Sequence, residues 1–126
     1  MHAVSRPWLI VACLIALPPV ALSAHLKLTR SSPAEGATVL SPPKQLQLWF
    51  SEEPLLPLTS VTLTGPQGSV TLDPPRASVE RSLTVGIGAS LAPGTYRIRW
   101  RSAGDDGHVV VGTVDFTLKE SARPPM

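Results

Sequence analysis

From Thr95 to Arg101 the chain reads Thr-Tyr-Arg-Ile-Arg-Trp-Arg, an alternation of bulky apolar and cationic residues that a helix cannot accommodate. A helix would scatter those residues around its axis. An extended strand puts Tyr96, Ile98 and Trp100 on one face and Arg97, Arg99 and Arg101 on the other. The arginine row is expected to be a solvated sheet face, with an anionic partner as the rarer alternative. The same period of two recurs along the chain. Leu26 and Leu28 alternate with Lys27 and Thr29, and Leu46, Leu48 and Phe50 alternate with Gln45, Gln47 and Trp49. Further strands are expected over Thr59–Thr64, Ser69–Asp73, Ser82–Ile87 and Val109–Leu118. In the last of these, Val110, Val114, Phe116 and Leu118 share a face, and Gly112 marks a close approach by a neighbour. Between the runs lie Pro42-Pro43, Pro54, Pro57, Pro74-Pro75 and the Gly65-Pro66-Gln67-Gly68 loop, which has hairpin length and composition. No segment carries a convincing 3.6-residue pattern. Seven short strands without helices to cover a parallel sheet predict an all-β, antiparallel β-sandwich of the immunoglobulin type.

The first 24 residues read differently. Arg6 precedes an apolar run from Trp8 to Leu17, and Val20-Ala21-Leu22-Ser23-Ala24 closes the segment with mostly small residues. That is the form of a cleaved export signal, too short in its apolar part for a spanning helix, which needs roughly 20 residues. The expected organisation is therefore a signal peptide over 1–24, one β-domain over 25–118 and a loose tail over 119–126. Cleavage after Ala24 removes the single cysteine, Cys13, so no disulfide or thiol is expected in the product. The whole chain carries 11 Lys+Arg against 9 Asp+Glu, and Arg6 departs with the signal. Such balance gives no reason to expect nucleic acid or an acidic membrane surface as partner.

Only two histidines remain after the expected cut, His25 and His108, and the second belongs to Asp106-Gly107-His108. In an extended chain, Asp106 and His108 point to the same side, about 6.6 Å apart along the strand, close enough to converge on one ion. Gly107 gives the backbone between them room to adjust. Cleavage after Ala24 would make His25 the first residue, and its α-amine and imidazole would then form a chelate. Three nitrogens and a carboxylate oxygen suit the tetragonal geometry of Cu(II), whereas Cu(I) prefers sulfur ligands. Met126, in the tail, is the only methionine left after the cut. The residues alone also allow a blander reading. An aspartate in Gly104-Asp105-Asp106-Gly107 is ordinary turn chemistry, and Asp105 is the alternative ligand in a register shifted by one.

Six segments taken together resemble the CopC family of exported copper-binding proteins. They are Ala24-His25-Leu26-Lys27-Leu28, Ser32-Pro33-Ala34-Glu35-Gly36, Leu48-Trp49-Phe50-Ser51-Glu52, Pro93-Gly94-Thr95-Tyr96, Trp100-Arg101-Ser102 and Asp106-Gly107-His108-Val109-Val110-Val111-Gly112. The resemblance implies a Greek-key β-sandwich or barrel and one Cu(II) ion held by His25, Asp106 and His108. It also implies an outer-shell carboxylate at Glu52, with Glu53 as the alternative register. Some relatives carry a methionine-rich Cu(I) site on a central loop. No methionine stands there in this chain, so that site is expected to be absent.

The resulting expectation is a monomeric periplasmic or secreted protein, not an enzyme, that sequesters copper or passes it to a separate CopD-like membrane transporter. Two alternatives stand beside it. One is a copper oxidase or monooxygenase built on a terminal histidine brace, which needs an open coordination position. The other is a metal-free immunoglobulin-like interaction module.

Overall fold

The alternating segments pair into two sheets in the computed structural model, which describes residues 25–119. The expected signal segment 1–24 and tail residues 120–126 lie outside the described residues. Nine strands are formed among the described residues: β1 (Leu28–Ser32), β2 (Ala37–Val39), β3 (Gln45–Phe50), β4 (Ser60–Gly65), β5 (Gly68–Val70), β6 (Arg76–Ser78), β7 (Ser82–Gly86), β8 (Gly94–Ala103) and β9 (Val109–Leu118). A single 3-10 turn over Leu56–Leu58 follows β3. One sheet runs β1-β3-β7-β6 and the other β2-β9-β8-β4-β5. No helix among the described residues is long and apolar enough to cross a membrane.

The β-sandwich expected from the alternation is what forms, and the inward residues are those the pattern selects. Leu46, Leu48, Phe50, Tyr96, Ile98, Trp100, Val114, Phe116 and Leu118 are all buried. Gly65 and Gly68 close the β4–β5 hairpin as a pair. The strand count differs from seven because β2 and β6 are three residues long, too short to show a period. β2 also departs from the antiparallel expectation. It runs parallel to β9, with Ala37 opposite Phe116 and Val39 opposite Leu118. A turn at Gly36, whose φ of +76° suits glycine, brings the chain alongside that edge, and the Gly36 N–H donates to the Asp115 carbonyl.

Two apolar clusters fill the interior. The larger joins Leu46 and Val85 of one sheet to Leu63, Tyr96, Ile98, Val114, Phe116 and Leu118 of the other, with Leu91 from a loop. The smaller contains Leu26, Leu48, Phe50, Leu83 and Trp100. Burial of each large side chain contributes about 1.5–3 kcal/mol, so the larger group is the main source of cohesion. The smaller one supports the end of the sandwich where Leu26 enters and the β8–β9 hairpin turns. There the Phe50 and Trp100 rings meet edge to face, 5.2 Å between centroids. Gly112 is the close approach the sequence suggests, since a Cβ at that position would lie 2.5 Å from the Trp100 ring.

Candidate metal centre

β8 and β9 pair in register through Ala103 and Val109, leaving Gly104 to His108 as the connecting turn. This turn is tightly specified. The Gly107 N–H donates to the Gly104 carbonyl at 2.9 Å, and Gly107 takes a φ of +74°, a conformation costly for any residue with a Cβ. Asp106 Oδ1 accepts the His108 N–H at 3.0 Å, so the aspartate folds its own loop. Extended geometry was the basis for expecting Asp106 and His108 on one side; they converge instead through this side-chain-closed turn, because the left-handed glycine reverses the chain between them.

His25 reaches the loop from the other end of the sequence. Its position follows from its neighbours: Leu26 is 1 % exposed in the smaller cluster. Lys27 is held at both backbone groups by Ser51, its carbonyl accepting the Ser51 N–H at 2.8 Å and its N–H donating to Ser51 Oγ at 2.9 Å. Thus anchored, His25 brings Nδ1 to 3.1 Å from Asp106 Oδ2. His108 Nδ1 lies 3.1 Å from the same oxygen. The two imidazole rings are nearly perpendicular, with centroids 5.0 Å apart.

The three side chains meet a simple geometric test for a metal. Ligands bound to one ion by bonds of about 2 Å are separated by roughly 3 Å when adjacent and roughly 4 Å when opposite. The two 3.1 Å separations match adjacent pairs. One atom from each of His25, Asp106 and His108 lies within 4.8 Å of the others, and the exposed side chains need only a small contraction to close on an ion. Hydrogen bonds from the His108 backbone and then its ring, with a smaller contribution from the His25 ring, pull the Asp106 carboxyl down to about 2. The carboxylate is therefore ionised at any pH where imidazole nitrogen is free to bind a metal.

Of the two neighbouring glutamates, Glu52 touches this loop. Its Oε1 accepts the Asp105 N–H at 3.0 Å. Its carboxylate also occupies the space over Gly104, where a Cβ would lie 2.2 Å from Oε1. Glu53 is exposed. Asp105, the alternative ligand in the shifted register, serves the loop through its backbone and is outside the ligand-forming group. Sequence reasoning did not identify Ser51, Gly104 or Leu55 as part of the site's support. Leu55 ties the segment after Glu52 to the end of β8 by donating to the Ala103 carbonyl at 2.9 Å. The Ser51 contacts reach 24 residues back to Lys27, the Leu55 and Gly104 contacts span about 50 residues, and only the glycine-rich composition of the turn hints at them.

Comparison with known proteins decides the family. The model of the CopC domain matches residues 28–119, nearly the whole described chain. The chain belongs to the CopC family. It is 36% identical over 104 residues to copper resistance protein C of Xanthomonas campestris pv. juglandis, covering 76% of this chain and 81% of that protein. Its fold is similar to that of CopC from Methylosinus trichosporium OB3b, with a TM-score of 0.70 and 25% identity over 79% of this chain and 99% of that one. PcoC, a methionine-rich copper resistance protein from Escherichia coli, superposes with a TM-score of 0.69 at 29% identity, covering 76% of this CopC chain and all of its own. In contrast with that description, this CopC chain has methionine only at positions 1 and 126.

Proposed function

We propose that this CopC protein is an exported carrier for a single Cu(II) ion, bound by His25, Asp106 and His108. The supporting observation is the convergence of two imidazole Nδ1 atoms on one ionised carboxylate oxygen, each at 3.1 Å, on an accessible loop. Nδ1 is also the histidine nitrogen placed to chelate together with the α-nitrogen of the same residue. Cleavage after Ala24 frees that α-amine. Together with the two imidazoles and the Asp106 carboxylate, the amine would make up a donor set of three nitrogens and one oxygen, which Cu(II) favours. Glu52 acts through the loop backbone, holding Asp105 and so the pose of Asp106. A four-donor set of this kind would leave little room for oxygen at the ion, which favours the carrier reading over an oxidase. The carrier works as a monomer outside the cytoplasm and hands copper to a separate CopD-like membrane transporter.

A copper titration followed by electron paramagnetic resonance, paired with the mass of the exported protein, tests this reading. One equivalent should give an axial Cu(II) spectrum with nitrogen couplings, on a chain beginning at His25. Sulfur coordination, a second tight site, or undiminished affinity on a chain with a blocked terminus would overturn it. Reductant-dependent peroxide formation by the copper-loaded protein would favour the oxidase instead.

A further inference from the structure

Six large apolar residues are exposed among the described residues, and four of them, Leu56, Leu58, Val109 and Val111, lie at the metal end of the five-stranded sheet. Arg101 links Leu58 to Val111. Leu58 and Arg101 line one concavity, and Arg99, Arg101 and Val111 line the next. Val111 is the cross-strand partner of Arg101, and Val109 directly follows His108.

The charge in the outer row of β8 is one-sided. Along the outer row of β8, Arg97 is engaged in a bidentate pair with Asp115, at 2.7 and 2.9 Å. Arg99 and Arg101 face Thr113 and Val111 on one side and Thr62 and Ser60 on the other, none of them acidic. Two cations beside four exposed apolar side chains, bordering the ligand loop, make a surface that attracts carboxylates and buries hydrocarbon. A second copy of this chain fits poorly, because two-fold pairing of the face would oppose arginine to arginine.

We infer that the face formed by Leu56, Leu58, Arg99, Arg101, Val109 and Val111 docks an acidic, leucine-rich segment of the protein that receives the metal. The inference rests on the carrier reading, since a protein that only stores copper needs no recipient. Docking there places the recipient's ligands beside His108, so the ion need not enter bulk water during exchange.

The test uses the protein as processed by its host, free of metal and 15N-labelled, with a synthetic peptide alternating glutamate and leucine as probe. Amide shifts should move at Arg99, Arg101, Val109 and Val111, and the effect should weaken with added salt. Charge reversal in R99E/R101E should reduce peptide affinity by at least about tenfold, and Val111→Asp should reduce it separately. Both variants should keep the wild-type Cu(II) resonance spectrum, which separates failure of docking from failure of the copper site. Equal binding of a lysine–leucine peptide, shifts elsewhere or none, concentration-dependent self-association through this face, or preference for phosphatidylglycerol vesicles over the peptide would overturn the inference.

Discussion

Two aspartates sit toward opposite ends of the β8–β9 hairpin, and both are held below the usual carboxylate range, yet their partners differ in kind. Asp115 is lowered chiefly by hydrogen bonds from the Arg97 guanidinium. Arg97 is in turn raised, first by the same hydrogen bond and then by the charge of Asp115, so each member favours the charged form of the other. The Asp115 backbone N–H is bound by Glu35 Oε1 at 3.0 Å, which fixes the start of β2 against this strand. Asp106 is lowered by the backbone N–H and ring of His108, with help from His25. Imidazole exchanges a proton for a metal, whereas guanidinium does not. One carboxylate is therefore neutralised permanently, and the other is neutralised by groups that can be redirected to an ion. Similar electrostatics thus serve architecture at one end and cargo at the other.

The largest expected effect comes from removing an exchangeable partner. His108→Ala should abolish most Cu(II) affinity, measured by competition with a chromophoric chelator, while circular dichroism shows an unchanged sandwich because the side chain is 70% exposed. Acid should act next. Asp106 has a folded value of about 2, so its contribution persists above the ordinary carboxylate range and is lost only as pH falls through that value. Copper release between about pH 8 and 5 must then reflect protonation of amine and imidazole nitrogens. A release midpoint near pH 2 would instead assign control to the carboxylate.

Glu52→Ala should weaken Cu(II) binding by about 10–100-fold, the usual loss when a group supporting metal ligands is removed. Isothermal titration checks this, and an unchanged affinity would show that the Gly107 turn holds Asp106 without help. Asp115→Asn should have the smallest effect, a slight fall in melting temperature with unaltered copper binding. A large loss of affinity in that variant would collapse the distinction between the two ends. For the unaltered protein, saturation at 100 times the dissociation constant should stabilise the fold by about 2.7 kcal/mol, visible as a shift in thermal melting.

Much of this fold was legible because half-buried strands record burial every second residue. Gln45–Phe50 and Val109–Leu118 were located at both ends by that signal alone. β2 and β6 were not, since Ala-Thr-Val and Arg-Ala-Ser are too short to show a repeat and exist through pairing with β9 and β7. Leu26 was read as part of an opening strand, but β1 starts at Leu28, because Lys27 bonds to Ser51 ahead of the regular ladder. At the centre, residue chemistry suggested His25, Asp106 and His108 as a group. Geometry did not follow as simply: the spacing suggested an extended segment where a glycine-dependent turn forms. The Glu52 contact with Asp105 spans 53 residues and depends on how β3 meets the hairpin end.

Seating Leu26 in the interior has a consequence for biogenesis. A peptidase must grip an extended chain on both sides of the bond it hydrolyses, and Leu26 stands two residues beyond the expected scission point. That leucine cannot occupy an enzyme cleft and the sandwich interior at once. Under the proposed cut after Ala24, trimming would precede final folding, and the chain would gain the terminus proposed to grasp the metal before it has a shape to attach it to.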